Sequence, residues 1–436
     1  MTNKFALRTF GCQMNKHDSE RMAGLLTHAG YEETAVTAEA SVIVFNTCCV
    51  RQHADDRLYG NVAALKQLKI DSPNLILAVG GCLAQKDGRQ MMETLPHVNI
   101  VFGTGNQSRL PEMISRAVAG EKVCDTGDGD DFSMEGTPSR NHEYHAWMPI
   151  TIGCDNFCTY CIVPYVRGRE RSRPREDIIT ELQKAVGEGV IETTLLGQNV
   201  NSYGRDICGE PRFADLLRRV SNIDGLKRIR FTTSHPKDLS DDVIFAVAQA
   251  ENIAPHFHLP VQAGSNRILK AMGRQYDRER YLMLAAKIRE KIPGVAITTD
   301  IMVGFPGETE TDFQETLELV KEVAFDQAFT FIYSARSGTK AAEMDGQISA
   351  PEKGSRFRRL VEAVNEAGLM RNKEFVGEEV NVYVEGPGRK GQDILAGRAF
   401  NNKLINFAGS DNLIGGFAAV KVTAAFSWFL TGELVR

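Results

Sequence analysis

Nine cysteines stand in this chain, and six of them occupy places where thiolates do chemistry. Three share one short loop, Gly153-Cys154-Asp155-Asn156-Phe157-Cys158-Thr159-Tyr160-Cys161, a CxxxCxxC run. Thiolates at this spacing converge on a single iron–sulfur cube, and three of them cannot ligate four irons, so one iron stays open to bind and react. A structural zinc knuckle is the competing reading, but it needs a fourth Cys or His nearby, and the next histidines are His142 and His145, outside the loop. The second set is scattered: Gly11-Cys12, Asn46-Thr47-Cys48-Cys49-Val50-Arg51 and Gly80-Gly81-Cys82. Each follows a predicted parallel strand. In a doubly wound sheet the C-terminal strand ends lie along one edge, so the three meet although distant in sequence. The adjacent Cys48 and Cys49 point apart, so one of them binds, and Gly11, Gly80 and Gly81 let backbone approach a bulky cofactor. Against this stands the reading of buried apolar cysteines in a core. Cys124 and Cys208 have no partners at ligand spacing and read as non-ligands.

The elements that must position these thiolates follow from the pattern. Strands are predicted at Phe5–Thr9, Ser41–Asn46, Leu75–Gly80 and Ile100–Phe102, with helices at Lys16–Ala29, Asp55–Leu68 and Gly88–Thr94 between them, which is a parallel sheet covered on both faces. An acidic, polar linker runs from Asp125 to His142. Six β-rich runs follow, each leading into helical spacing: Met148–Gly153, Thr193–Gln198, Arg228–Thr233, His256–Pro260, Ala296–Val303 and Ala328–Tyr333. Six units make an incomplete barrel, with ligands at the C-terminal strand ends. The last stretch holds short glycine-punctuated β runs at Glu379–Val384, Asp393–Arg398, Lys403–Phe407 and Phe417–Ala424, the pattern of a small antiparallel barrel of the OB type. The fold class is therefore α/β: an N-terminal doubly wound parallel-sheet domain at 1–122, a central partial (βα)6 barrel at 140–370, and a C-terminal small antiparallel β-barrel at 373–436.

The 436 residues, 42% hydrophobic and 25% charged, exclude a disordered or fibrous chain. An odd cysteine count without a secretion signal argues against a disulfide framework. No apolar run suffices to cross a bilayer, so no membrane partner and a cytoplasmic location are expected. The net charge of -5 excludes a uniformly basic nucleic-acid binder and leaves only local patches.

CxxxCxxC with an aromatic residue before its last cysteine, opening a six-unit βα domain, resembles the radical S-adenosylmethionine superfamily. There the open iron chelates S-adenosylmethionine, whose reductive cleavage activates C–H bonds that side chains cannot. With the Cys12, Cys48 and Cys82 set and the β-rich tail, the chain resembles the methylthiotransferase family of that superfamily over essentially its full length. The resemblance implies two 4Fe-4S clusters. Cys154, Cys158 and Cys161 hold the radical cluster, and Cys12, Cys48 and Cys82 hold an auxiliary one that delivers sulfur. Cys49 replaces the usual small residue. The tail corresponds to an RNA-binding TRAM domain. Segments 161–174, Leu195–Asn201 and His258–Gln262 are most similar to the members that act on an N6-prenylated adenosine. The implied reaction installs a methylthio group on its carbon 2, beside the anticodon in the tRNA stem-loop, with two S-adenosylmethionine molecules per turnover. An external electron donor is required, and the sulfur donor is unidentified. The same chemistry on a threonylcarbamoyl-adenosine or a ribosomal-protein aspartate is an alternative. A two-cluster electron-transfer protein is another, opposed by three cysteines per site, and an RNA-binding module with structural zinc is a third.

Strand ends of the second domain supply the candidates for holding S-adenosylmethionine and the base: Gln198, Asn199, Ser234, His235, Gln262 and Asp300, with Tyr160 from the cluster loop. Gly304-Phe305-Pro306-Gly307-Glu308-Thr309 resembles a recurrent cofactor-binding motif of the superfamily. Arg167, Arg169, Arg171, Arg173 and Arg175 alternate; if extended, they share one face and meet phosphates or bases. Lys353, Arg356, Arg358 and Arg359 form a second basic patch. In the tail, Phe400, Phe407, Phe417, Phe426, Trp428 and Phe429 are candidates for base stacking, though most are expected in the core.

Overall fold

A computed structural model describes residues 3–49, 52–127, 129, 138–140, 144–388 and 393–435, without the side chains of 52–56. Most of the acidic linker, and Val50 and Arg51 of the second cysteine motif, lie outside the described residues. The chain forms two compact units. The first comprises 1–142, 147–155 and 162–173; the second comprises 143–146, 156–161 and 174–436.

The first unit is built on six strands: β1 (Lys4–Thr9), β2 (Glu32–Glu33), β3 (Val42–Thr47), β4 (Ile76–Gly81), β5 (Ile100–Phe102) and β6 (Val123–Asp125). Every pair is parallel, in the order β2-β1-β3-β4-β5-β6. Alternation along the strands separates two cores, because successive side chains point to opposite faces. Phe5, Val42, Val44, Ile76, Ala78 and Ile100 pack with Met22 and Leu26 of the helix Gln13–His28 and with Met113 and Ile114 of Leu110–Val118. Ala6, Ile43, Phe45, Leu77, Val79 and Val101 pack on the other face with Leu58 and Val62 of Gln52–Ala64 and with Leu83 and Met91 of Cys82–Thr94. Each such buried Val, Leu, Ile, Phe or Met side chain contributes about 1.5–3 kcal/mol. The sheet is therefore doubly wound, and its order reverses between β1 and β3, the crevice where such sheets bind ligands.

Two expectations for this unit change. The helix expected from Gly88 begins at Cys82, because the chain turns from β4 into a helix at once and Gly88 is only a kink within it (φ 46°). Asp125, expected in the linker, is the last residue of β6, whose backbone accepts from Gly103 N at 2.8 Å.

β7 (His145–Pro149) contains the boundary between the units, with His145 and Ala146 in the second and Trp147 onward in the first. The expected strand to Gly153 is broken at Pro149, which has no N–H to donate. A two-residue antiparallel pair then follows, β8 (Thr151–Ile152) with β9 (Arg171–Ser172).

In the second unit β10 (Glu192–Leu196), β11 (Arg228–Thr232), β12 (His256–His258), β13 (Ala296–Val303) and β14 (Gln327–Ile332) carry the partial barrel. Two three-stranded sheets, β7-β10-β11 and β12-β13-β14, are bridged where Ile229 O accepts from Ala254 N at 2.8 Å. The helix Ala350–Lys373 leads to the tail, a closed barrel ordered β15-β16-β17-β19-β18, comprising β15 (Glu379–Pro387), β16 (Ile394–Ala399), β17 (Leu404–Ala408), β18 (Phe417–Ala425) and β19 (Leu430–Leu434). Sequence reading missed β19, and closure through it makes the β17–β19 junction parallel, so the tail is not purely antiparallel.

The tail docks on the N-terminal strand ends of the partial barrel. Fully buried Arg228 donates to Arg398 O at 3.0 Å and pairs with Glu192 Oε2 at 2.5 Å, and Lys403 Nζ lies 2.6 Å from Asp326. The opposite strand ends are left to the site.

Candidate active site

Cys12, Cys48 and Cys82 each follow the C-terminal end of a strand, after β1, β3 and β4, which are neighbours in the sheet. Gly11 has φ +142°, and a Cβ placed there would stand 2.8 Å from Cys48 Cβ. At Gly81 (φ +96°) a Cβ would come within 2.5 Å of Thr47 O. These glycines were expected to admit a cofactor, but what they admit is the neighbouring strand end. A polar network fixes the edge. Asn15 Nδ2 donates to Asn46 Oδ1 and to Thr47 O, both at 3.1 Å, and its Oδ1 accepts from Cys12 Sγ at 3.4 Å. Asn46 Nδ2 donates to Ser19 Oγ at 2.9 Å, and Thr47 Oγ1 to Gly80 O at 2.7 Å. Asn15 and Asn46 are fully buried, and the reason for two such amides is this mutual satisfaction.

Charge gathers at the same edge. Arg167 Nη2 lies 2.9 Å from Asp18 Oδ2, with side chains 4% and 7% exposed. Burial works against the Asp18 carboxylate, but Arg167 and His17 outweigh it and hold its pKa below the ordinary value. Cys82 opens a helix, and its thiol is lowered to about 6 by the Cys49 thiol first, against burial, with Arg167 adding to the shift. So Cys49 packs beside Cys82. The Asp18–Arg167 pair was missed; the signal was one acid and one arginine, each placed a few residues beyond a cysteine motif.

The arginine comb does not form. Arg167 caps the short helix Val163–Val166, Arg171 sits in β9, and Arg175 begins the helix Arg175–Gly187, so no extended run joins the five. Arg167 and Arg173 are buried, the latter against Met148 Sδ. Arg169 is exposed beside Asp155 at 2.8 Å, and Arg175 is exposed beside Glu176 at 2.9 Å. Three residues of the second basic patch are likewise taken up, while Arg358 is exposed. Arg356 clamps Glu308 at 2.8 Å and Arg359 meets Glu310 at 2.7 Å, while Lys353 donates to Tyr333 O at 3.2 Å. Glu308, held also by Gly304 N at 2.8 Å, ties that glycine motif to the helix Ala350–Lys373. The tail departs from expectation in the other direction. Only Phe407 of its six candidate aromatics is buried, whereas Phe417, Phe426 and Trp428 are 37%, 45% and 44% exposed.

In the loop of the radical set, Cys154 N donates to Gly168 O at 3.3 Å in the first unit, and Cys161 N to Cys158 O at 2.9 Å in the second. Around Cys158 the sequence reading missed Arg274, whose Nη1 lies 3.4 Å from Cys158 Sγ. Tyr160 beside it has its hydroxyl pushed up, by burial first and then by Cys158. At the strand ends Asn199 Nδ2 donates to Asp238 Oδ2 at 2.8 Å, and Lys237 Nζ to Asn156 Oδ1 at 2.6 Å. Burial, helped by Arg274 and Lys237, keeps His235 neutral well below its ordinary pKa. Gln262 adopts φ 74° and its backbone bridges Asp300 O and Met302 N, both at 2.9 Å. Asp300 Oδ1, on a partly exposed side chain, lies 3.6 Å from His258 Nε2, and the His258 ring meets that of Phe329 edge to face. Gln198 is half-buried at the end of β10.

Three buried atoms here, Asn199 Oδ1, Ser234 Oγ and His235 Nε2, have no hydrogen-bond partner among the described residues. Orphaned polar atoms at the ends of two neighbouring strands, β10 and β11, fit a ligand with amino, carboxylate and hydroxyl groups, because leaving each unpaired costs about 1–3 kcal/mol. Among the described residues no three His, Cys, Asp or Glu side chains converge tightly enough for one metal ion. A cube spreads its thiolates wider than a single tetrahedral ion does.

Residues 148–320 match the radical SAM superfamily, 373–435 a TRAM domain, and 4–103 the uncharacterized protein family UPF0004. The fold is shared with the radical S-adenosylmethionine methyltransferase TsrM from Kitasatospora setae, solved with cobalamin and a 4Fe-4S cluster. The TM-score is 0.57 at 12% identity, over 78% of this chain and 74% of that one. It is also shared with the cobalamin-dependent S-adenosylmethionine radical enzyme OxsB, at TM-score 0.55 and 13% identity over 81% and 56% of the two chains. The family model over 148–320, which includes the CxxxCxxC loop, defines the class, a radical S-adenosylmethionine protein. Over 99% of its length the chain is 50% identical to the tRNA-2-methylthio-N(6)-dimethylallyladenosine synthases of Clostridium perfringens and Clostridium tetani, covering 98% and 96% of them. It is 49% identical to that of Moorella thermoacetica, again over 99% of this chain and 98% of the relative. The chain belongs to the tRNA-2-methylthio-N(6)-dimethylallyladenosine synthase family.

Proposed function

We propose that this protein converts N6-dimethylallyladenosine beside the anticodon of a tRNA into its 2-methylthio form, consuming two S-adenosylmethionine molecules per turnover. It is a transferase with two 4Fe-4S clusters. The observation that carries the reading is the second set of three cysteines at the reversal point of the N-terminal sheet, in a chain half identical throughout to synthases of this modification. Cys12, Cys48 and Cys82 hold the auxiliary cluster at that edge, and Cys154, Cys158 and Cys161 hold the radical one. When bound, the radical cluster and S-adenosylmethionine supply the means of breaking a strong C–H bond.

The residues of this chain bind and orient around those groups. Asn199, Ser234 and His235 offer their unpaired polar atoms to S-adenosylmethionine, with Gln198, Gln262 and Tyr160 beside it. His235, neutral through burial, hydrogen-bonds without adding charge. Asp300 faces the target base from β13. The base enters unstacked, and a loop nucleotide loses less than a paired one in doing so. RNA contacts fall to Arg169, Arg171 and Arg175 and to the exposed tail aromatics Phe417, Phe426 and Trp428, which stack on bases without relying on bulk charge. Arg167 and Arg173, being buried, take no part. The functional modules run over 1–122, 140–370 and 373–436. The electron donor is external, and the protein acts in the cytoplasm; no described helix is long and apolar enough to cross a membrane.

Nucleoside analysis of tRNA from cells lacking the gene tests the substrate. Loss of the methylthio nucleoside with retention of the prenylated precursor is expected; loss from threonylcarbamoyl-adenosine instead would move the same chemistry to another target. Iron analysis tests the ligand sets. Anaerobically purified protein is expected to hold about eight irons and the Cys154→Ala/Cys158→Ala/Cys161→Ala variant about four. A variant with none would leave a single cluster and overturn the reading.

A further inference from the structure

Three buried arginines of this chain are each paired with a carboxylate. Arg167 has Asp18, Arg228 has Glu192 and Arg356 has Glu308. Arg274 is 8% exposed, and no ion pair to a carboxylate is present for it among the described residues. Its three arms are committed otherwise: Nη1 to Cys158 Sγ at 3.4 Å, Nε to Tyr276 Oη at 2.9 Å, and Nη2 to Pro260 O at 2.9 Å. Tyr276 is not the missing anion, since its hydroxyl donates to Val261 O at 2.9 Å and burial raises its pKa. A buried charge without a counter-charge costs several kcal/mol, so the site is built for an anion that arrives with the thiolate of Cys158.

The backbone supports this placement. The C-terminal end of the helix Asn266–Ala271 grips the cysteine loop: Met272 O accepts from Thr159 N at 2.9 Å and Ala271 O from Thr159 Oγ1 at 2.9 Å. At Gly273, with φ +74°, a Cβ would lie 3.8 Å from Cys158 Cα. The rigid fork of a guanidinium, fixed at two arms, aims the third at one sulfur, which a lysine ammonium on a flexible stem would not do.

We propose that Arg274 is a positioning residue of the radical cluster, which donates to the sulfur of Cys158 and balances the negative charge of the ligated cluster, making it easier to reduce. The proposal rests on the assignment of Cys158 as a ligand. Reduction adds an electron to an assembly that is already anionic, so a fixed cation beside a ligand sulfur favours the reduced state. Hydrogen bonds to the sulfurs act in the same sense.

The test uses the full chain in a Cys12→Ala/Cys48→Ala/Cys82→Ala background, so that one cluster is read. Midpoint potentials are measured by anaerobic redox titration with electron paramagnetic resonance, without S-adenosylmethionine, so that its carboxylate is not counted. Arg274→Gln is expected to keep about four irons and to shift the midpoint down by at least about 59 mV, a tenfold change in a one-electron equilibrium. Arg274→Lys, which keeps the charge but not the fork, is expected to shift it less. If Arg274→Gln loses iron while Arg274→Lys retains it with an unchanged circular dichroism spectrum, charge balance is again supported. An unshifted potential at full iron content overturns the proposal. So does loss of iron and of thermal stability in both variants, which would make Arg274 a packing residue. Full iron in Cys158→Ala would remove the ligand assignment itself, and the proposal with it, whatever the Arg274 variants show.

Discussion

Asp18 and Arg167 form a buried ion pair in the first unit, and the cost of breaking it differs sharply from that of the exposed arginine two residues on. Removing one partner of a buried pair leaves a buried charge uncompensated, about 3–5 kcal/mol. The Arg169–Asp155 pair, with side chains 73% and 44% exposed, stabilises by about 0–1 kcal/mol. Asp18→Asn is therefore expected to lower the urea midpoint strongly and Arg169→Ala hardly at all; equal losses would mean that Arg167 finds other compensation. The pH dependence follows the same residues. Asp18 has a folded pKa below its unfolded one. Its contribution is present above the ordinary carboxylate range and is lost as pH falls through the folded value. His235 and His256 are held neutral by burial, so the unfolded chain takes up more protons than the folded one once pH drops below about 6.5. Stability is thus expected to decline first with histidine protonation as pH falls below that value. Urea melts at stepped pH in His235→Gln and the parent check it: the histidine variant should flatten the slope between neutral and mildly acidic pH.

At the scale of elements, the glycines at the strand ends decide whether the three cysteines share an edge. A Cβ at Gly80 would fall 2.2 Å from the Phe102 ring, and one at Gly11 2.3 Å from Asn15 Oδ1. Gly80→Ala and Gly11→Ala are expected to lower iron content toward about four per chain, one cluster's worth, with the radical set intact; retention of full iron would show that the edge tolerates the spread. The central strands were legible in the sequence because both faces of the sheet are buried there and each reads as a continuous apolar run, Ser41–Asn46 and Leu75–Gly80. Cys48 and Cys82 were legible because each follows such a run, whereas Cys12 follows the half-exposed β1. Less so were elements set by long-range partners. β19 forms a hairpin with the preceding β18, but it closes the barrel through a parallel pairing with the distant β17, and the start of the helix at Cys82 is hidden by a glycine inside it. The arginines misled because alternation signals a shared face only where the chain is extended, and here helical turns interrupt it. Arg274 carried no signal at all, since its partner sulfur lies 116 positions away.

Across the whole second unit, a buried polar network fastens the tail barrel to the partial barrel, and its charges are not shared evenly. Asp326, beside the start of β14, accepts from Lys403 Nζ at 2.6 Å and from Ile297 N at 2.8 Å, with Arg371 at 3.7 Å and Arg289 at 4.0 Å. Lys403, 8% exposed, has Asp326 and the amide oxygen of Asn372 at 2.8 Å, but no second ion-paired carboxylate among the described residues. Removing the lysine leaves an acid still flanked by two guanidiniums, whereas removing the acid leaves a buried ammonium with only an amide. Asp326→Asn is therefore expected to cost about 3–5 kcal/mol and Lys403→Met about 1–3 kcal/mol. Because Asn401 Nδ2 also reaches Gly294 O at 3.1 Å and Arg230 reaches Asn402 Oδ1 at 2.7 Å, the same loop closes the strand ends opposite the site. Both losses should then appear in one cooperative urea transition that includes the partial barrel. A separate early transition for the tail, or a larger loss in Lys403→Met than in Asp326→Asn, would contradict a network in which Asp326 is the shared acceptor joining the two barrels.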